Sequence, residues 1–146
     1  MDKKIHGFRN MENNFENVAV FDGFFIAVKA ELLKKTEGFG GKGKIKFHHN
    51  YDNLLSLQSL EFGYENILIP LNINHIGGQT DVGEDWATGF GKTKQQVHQE
   101  AHPPFYEYGR GKLPVLIEDI YDSNGKKIIG YNLFMNRELI KTKMYA

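Results

Sequence analysis

Val115-Leu116-Ile117-Glu118-Asp119-Ile120-Tyr121, then Asp122-Ser123-Asn124-Gly125, then Lys127-Ile128-Ile129-Gly130-Tyr131-Asn132-Leu133-Phe134-Met135, is the stretch whose reading decides the fold. Two runs rich in branched aliphatic and aromatic residues flank a turn of Asp, Ser, Asn and Gly, which is the pattern of an antiparallel hairpin. Upstream, Ile67, Ile69, Leu71 and Ile73 alternate with Leu68, Pro70, Asn72 and Asn74. That period of two predicts a strand over residues 67–74 with one apolar face. Pro70 lacks an amide donor and places this strand at a sheet edge or a bulge. Shorter strands are expected over residues 18–21, 44–48 and 86–90.

Helical spacing appears in three places. Phe25, Val28 and Leu32, with Phe24 and Leu33 beside them, predict a helix over residues 24–37, with Lys34 and Lys35 in its last turn and Gly38 as its stop. The opening Phe24-Phe25-Ile26-Ala27-Val28 is equally readable as a buried strand. Asp52 or Asn53 is placed to cap a short helix through Leu54, Leu55, Leu57 and Leu60. A third helix opens at Thr93 and is expected to end at His102-Pro103-Pro104, because a residue before proline is pushed out of the helical region. Residues 137–145 read as a short closing helix. Residues 1–17 are polar and Asn-rich, an arm or an oligomer contact, and residues 18–146 form one domain without repeat or linker. The fold class is α+β: a mainly antiparallel sheet with two or three helices.

The chain of 146 residues is long enough for one buried core. Eighteen basic and eighteen acidic side chains cancel, which argues against a protein held on nucleic acid by gross charge. The distribution is uneven: Lys29, Lys34, Lys35, Lys42, Lys44 and Lys46 crowd one segment, and residues 47–91 carry only acidic charges. Such a split favours solvated faces, self-association or an anion on one side, and Lys29 to Lys46 could still form a local nucleic-acid patch. The absence of cysteine excludes disulfides, thiolate catalysis and cysteine-ligated zinc. The start Met1-Asp2-Lys3-Lys4-Ile5-His6 has no apolar leader and no stretch reaches membrane-spanning length, so the expectation is a cytoplasmic protein without a membrane partner.

The richest chemistry lies in Ala87-Thr88-Gly89-Phe90-Gly91-Lys92-Thr93-Lys94, a glycine turn into a helix start with two lysines. Helix N-termini attract anions. The run resembles the first motif of helicase-type ATPases at all but one of its positions, and the resemblance implies phosphate contacts from Lys92 and a magnesium contact from Thr93. The residues before it, Asp81-Val82-Gly83-Glu84-Asp85, depart from the buried parallel strand that family requires. Glu118-Asp119 lies in an antiparallel hairpin, and the motif comes late in a short chain. Gly89-Phe90-Gly91-Lys92-Thr93-Lys94 with Ala101 is also similar to the last helix of double-stranded-RNA-binding domains, implying phosphate contacts from the lysines. Gln95 and Gln96 depart from that pattern. A capping box of Thr93 and Gln96 accounts for part of the run without any ligand.

Gly38-Phe39-Gly40-Gly41-Lys42-Gly43-Lys44 matches a phosphate-loop spacing, but it follows a helix and has Ile45 where Ser or Thr belongs. A connector or a lid carrying Lys42 and Lys44 is the expectation. Phe105-Tyr106-Glu107-Tyr108-Gly109-Arg110-Gly111-Lys112 reads as an aromatic loop suited to stacking a planar ring, or to covering the core. His98 and His102 are one helical turn apart and could chelate a divalent metal, with His48, His49 and Asp52, or His75, completing a site across the fold.

The reading that follows is a non-catalytic binder of a nucleotide-like or other phosphorylated ligand. Gly91, Lys92, Thr93 and Lys94 would meet the anion, Tyr106, Tyr108 and Arg110 would supply stacking and charge, and Lys42 or Lys44 would close over it. No cofactor is firmly implied, and homo-oligomerisation is expected. Alternatives are a metal-dependent hydrolase using His98 and His102, and a structural or inhibitory module docking on an acidic protein surface. The Asn-, Lys- and Ile-rich composition points to an AT-rich genome, consistent with a viral or mobile-element accessory protein.

Overall fold

The computed structural model describes residues 15–23, 25–39, 41, 49–71 and 86–145. They form an α+β chain of three helices and two small antiparallel sheets. The elements are β1 (Glu16–Asn17), α1 (Ala30–Thr36), α2 (Tyr51–Glu61), β2 (Ile67–Leu68), a 3₁₀ turn (Trp86–Phe90), α3 (Lys94–Gly109), β3 (Val115–Tyr121), β4 (Lys127–Met135) and β5 (Glu138–Met144). β1 pairs with β2, and β3, β4 and β5 form the second sheet in that order. The expected strand at residues 44–48 lies outside the described residues.

The hairpin stands as expected, with Ile117 opposite Leu133 and Asp119 opposite Tyr131. Asp122 builds its turn by accepting the amides of Asn124 at 2.8 Å and Lys126 at 2.9 Å. Alternation along β4 buries Tyr131 and Leu133 against Leu60 of α2, with Val115, Ile117, Met135 and Tyr145 packed around them. The chain then turns through Asn136 (φ 50°) and Arg137 (φ 68°) into β5, where the sequence pattern predicted a helix. Two successive left-handed residues make the tight turn that matches strand twist, and Asn adopts that conformation readily.

α2 is the central helix. Leu54 to Leu60 are buried without interruption, so it is enclosed on all sides rather than half-exposed. Its buried polar residues therefore hold neighbouring chain. The Ser56 hydroxyl accepts the Phe21 amide at 3.1 Å and donates to the Asp52 carbonyl at 2.7 Å. Asn66 Nδ2 donates to the carbonyls of Ala19 (3.1 Å) and Ser56 (3.0 Å). These bonds hold residues 18–21 as an irregular strap, not the expected strand.

Other expectations shift for local reasons. α1 spans Ala30–Thr36 rather than residues 24–37, since the preceding aromatic and branched residues favour extended backbone. It stops near Gly38 as expected, with the Gly38 amide donating to the Leu33 carbonyl at 2.8 Å and Glu37 in the left-handed conformation. Of the strand expected over residues 67–74, the ladder keeps Ile67–Leu68, while Ile69, Pro70 and Leu71 are exposed and residues 72–74 lie outside the described set. Residues 86–90 form a 3₁₀ turn, not a strand.

α3 passes straight through Pro103 and Pro104 to Gly109, so the expected stop at His102 is not there, and Phe105 to Gly109 is helix rather than loop. The two prolines leave the carbonyls of Gln99 and Glu100 without helical donors, but both residues are exposed and water can satisfy them. Among the described residues no helix is long and apolar enough to cross a membrane.

Candidate metal centre

α3 seats itself by Val97 and Ala101, both fully buried and one turn apart. His98 and His102 each follow one of these residues, so they lie about 100° round the helix, at the rim of its buried stripe. α2 meets that rim with His49, the residue before its N-cap, Asn50. Asn50 is left-handed (φ 62°), which turns the chain sharply just after His49.

The result is three imidazoles in one place. His49 Nε2 lies 3.2 Å from His102 Nε2, across 53 positions of sequence. The His49 ring centroid is 4.4 Å from that of His98 and 5.3 Å from that of His102, and the last pair is stacked at 18°. Among the described residues these three form the one group of three metal-ligating side chains, with one ligand atom from each all within 4.8 Å of one another. None of the rings is fully buried, so the group is reachable from solvent.

Coordination geometry gives these distances meaning. Two imidazole nitrogens bound tetrahedrally to zinc at 2.0–2.1 Å must stand about 3.3–3.4 Å apart. The His49–His102 pair stands close to that spacing at 3.2 Å, with a His98 ligand atom within 4.8 Å of both. Three nitrogen ligands suit zinc, copper, nickel and cobalt rather than calcium or magnesium, which prefer oxygen.

Of the other expected ligands, only Asp52 lies among the described residues, and it is engaged by backbone amides. Asp52 accepts the amides of Gly23 (3.1 Å) and Asn53 (2.8 Å), while His48 and His75 lie outside the described residues. His49 could be nominated from sequence but not chosen, because nothing local ties it to His98 and His102.

The residues proposed for an anion divide into groups. Gly91 has φ 67° and donates its amide to the Thr88 carbonyl at 2.8 Å, closing the 3₁₀ turn. Thr93 and Gln96 form the full capping box: the Gln96 amide donates to the Thr93 hydroxyl at 3.2 Å and the Thr93 amide to Gln96 Oε1 at 2.8 Å. Lys92 pairs with Glu100 at 2.5 Å. Lys94 opens α3 one turn before His98, and Tyr106, 60% exposed, lies one turn after His102 with its ring 6.2 Å from it, edge to face. Lys94, His98, His102 and Tyr106 thus form one ridge at four-residue spacing.

Tyr108 and Arg110 are not on this ridge. The Tyr108 hydroxyl donates to the Glu61 carboxylate, and Lys112 meets Glu61 at 3.1 Å while lying 3.7 Å over the Tyr108 ring. Burial first, then the hydrogen bond to Glu61 and its charge, pushes the Tyr108 phenol up to about 12. This cluster joins the end of α3 to the end of α2. Arg110 is exposed at the C-cap of α3, and Lys42 and Lys44 lie outside the described residues.

A separate cavity of about 30 Å³ beside Asn17, Tyr131 and Tyr145 has room for about one water, too little for a nucleotide. No family of known proteins, no curated protein and no solved structure matches this chain.

Proposed function

We propose that this protein binds a transition-metal dication, zinc being the natural candidate, through His49, His98 and His102. The observation that carries the reading is the 3.2 Å separation of His49 and His102 Nε2 with His98 beside them. Among the described residues three ligands converge, one short of a tetrahedron, and zinc sites with three protein ligands and a water or substrate in the fourth position are the reactive kind. A dication in such a site lowers the pKa of a bound water to about 7, which is the chemistry of hydrolytic centres. Support for a hydrolase ends there, because no carboxylate belongs to the histidine group among the described residues. Glu100, two residues from each helical histidine, is on the opposite face of α3 and bonded to Lys92. The reading is therefore metal binding through three imidazoles.

Native mass spectrometry of protein dialysed against zinc tests it. One zinc per chain is expected, and it is lost in the His49→Ala variant and in the His98→Ala/His102→Ala variant. Retention of one zinc by both variants would place the metal elsewhere.

A further inference from the structure

We infer that residues 15–18, which include β1, form a strap that releases from the β3–β4–β5 sheet about a hinge at Ala19, with Tyr145 as its latch. The ladder is the first argument. β1 pairs with β2 over two residues, Glu16 opposite Leu68 and Asn17 opposite Ile67, and the Val18 amide donates to the Asn66 carbonyl at 2.9 Å. So short a ladder has few backbone bonds to lose when it opens.

Buried polar atoms are the second argument. Glu16, Asn17, Tyr131 and Tyr145 line one cleft between β1 and the sheet. Glu16 Oε2, Asn17 Nδ2 and the Tyr131 hydroxyl are sealed from solvent and make no hydrogen bond among the described residues. Tyr131 is 2% exposed. Burial first, then the Glu65 charge, pushes its phenol up, so it stays a proton donor, and Glu65 stands near it outside hydrogen-bond geometry. Each sealed, unpaired group opposes closure by its lost hydration, and release returns all three to water.

The closed state is held at Tyr145. The Phe15 ring packs edge to face on it with centroids 5.2 Å apart. The Tyr145 hydroxyl lies 2.9 Å from Asn17 Oδ1 and 2.8 Å from Glu65 Oε2, one proton for two acceptors. The charged carboxylate is the stronger acceptor, which leaves the Asn17 contact the weaker of the two. Beyond the strap the chain is pinned to α2 and its exit. Buried Asn66 holds the Ala19 carbonyl and Ser56 holds the Phe21 amide, which fixes the hinge.

Native-state hydrogen exchange read by NMR provides the test, with the Val18 amide as reporter and the amides of β4 as reference. Val18 should exchange at least about a hundredfold faster than β4, at a rate that low urea leaves unchanged, as local opening requires. Two conservative variants should move the Val18-to-β4 ratio in opposite directions. Tyr145→Phe loses the latch bond and should speed Val18 roughly two- to fivefold. Tyr131→Phe removes a sealed, unpaired hydroxyl and should slow Val18 about fivefold or more. Val18 exchanging at the rate and urea dependence of β4 would overturn the inference. So would Tyr131→Phe that speeds Val18 or leaves it unchanged, or Tyr145→Phe without effect.

Discussion

Zinc should stabilise this fold, and by an amount that its concentration sets. His49 belongs to the approach to α2 and His98 and His102 to α3, so all three ligands converge only when the helices are packed. The unfolded chain offers at best the local His98–His102 pair. A ligand that binds the folded state alone stabilises it by about 2.7 kcal/mol at one hundred times its Kd. For a chain of this length 1 kcal/mol is about 2–4 °C in Tm, so the rise is roughly 5–11 °C. Each further tenfold in free zinc adds about 1.4 kcal/mol, or roughly 3–6 °C. Residual zinc binding by the unfolded pair lowers both figures. Differential scanning calorimetry across a zinc series, with metal buffered by a weak chelator, measures the slope. His49→Ala should flatten it, because that variant leaves only the local pair. A Tm independent of zinc, or an equal slope in His49→Ala, would refute the reasoning.

Three further predictions concern the scaffold. Gly130→Ala should destabilise by about 1–3 kcal/mol in urea unfolding. Its Cβ would press on the Lys143 carbonyl and come 3.0 Å from Met144 Cα, backbone atoms of β5 that cannot rotate away, so an unchanged midpoint would count against the β4–β5 register. Glu65 is opposed by burial but held below the ordinary carboxylate range by hydrogen bonds from Lys143 and Tyr145 and by the charges of Lys143 and Lys141. A depressed carboxylate contributes stability that is present above its unfolded pKa and lost as pH falls through the folded one. Glu65→Gln should thus lose about 1–3 kcal/mol at pH 7, with the gap closing below about pH 4, and a gap independent of pH would contradict this. Thr93→Ala removes the capping box of α3 and should lower stability by about 1 kcal/mol, checked by urea unfolding, with no change arguing that Gln96 alone holds the helix start.

The sequence revealed the fold where local chemistry decides it. Asp122 to Gly125 specify a turn by themselves, and the leucines of α2 and the Thr93–Gln96 cap are equally local signals. Errors arose where tertiary packing overrides propensity. Pro103 and Pro104 ended a helix on paper, yet α3 continues, with Tyr108 and Lys112 fastening its far end to Glu61. The Asn136–Arg137 turn was legible only with attention to the left-handed tolerance of Asn. The candidate site was half legible: four-residue spacing singled out His98 and His102, whereas His49 joins them through packing across 53 positions. Lys92 and Thr93 attracted attention by resemblance to phosphate loops, and the structure uses both within α3 itself.

The central claim is a centre of three imidazoles, and X-ray absorption at the zinc edge tests it most directly. The account predicts one zinc per chain with three imidazole nitrogens at about 2.0–2.1 Å and one lighter oxygen ligand. A shell made mainly of oxygens, or one with fewer than three imidazoles, would contradict it.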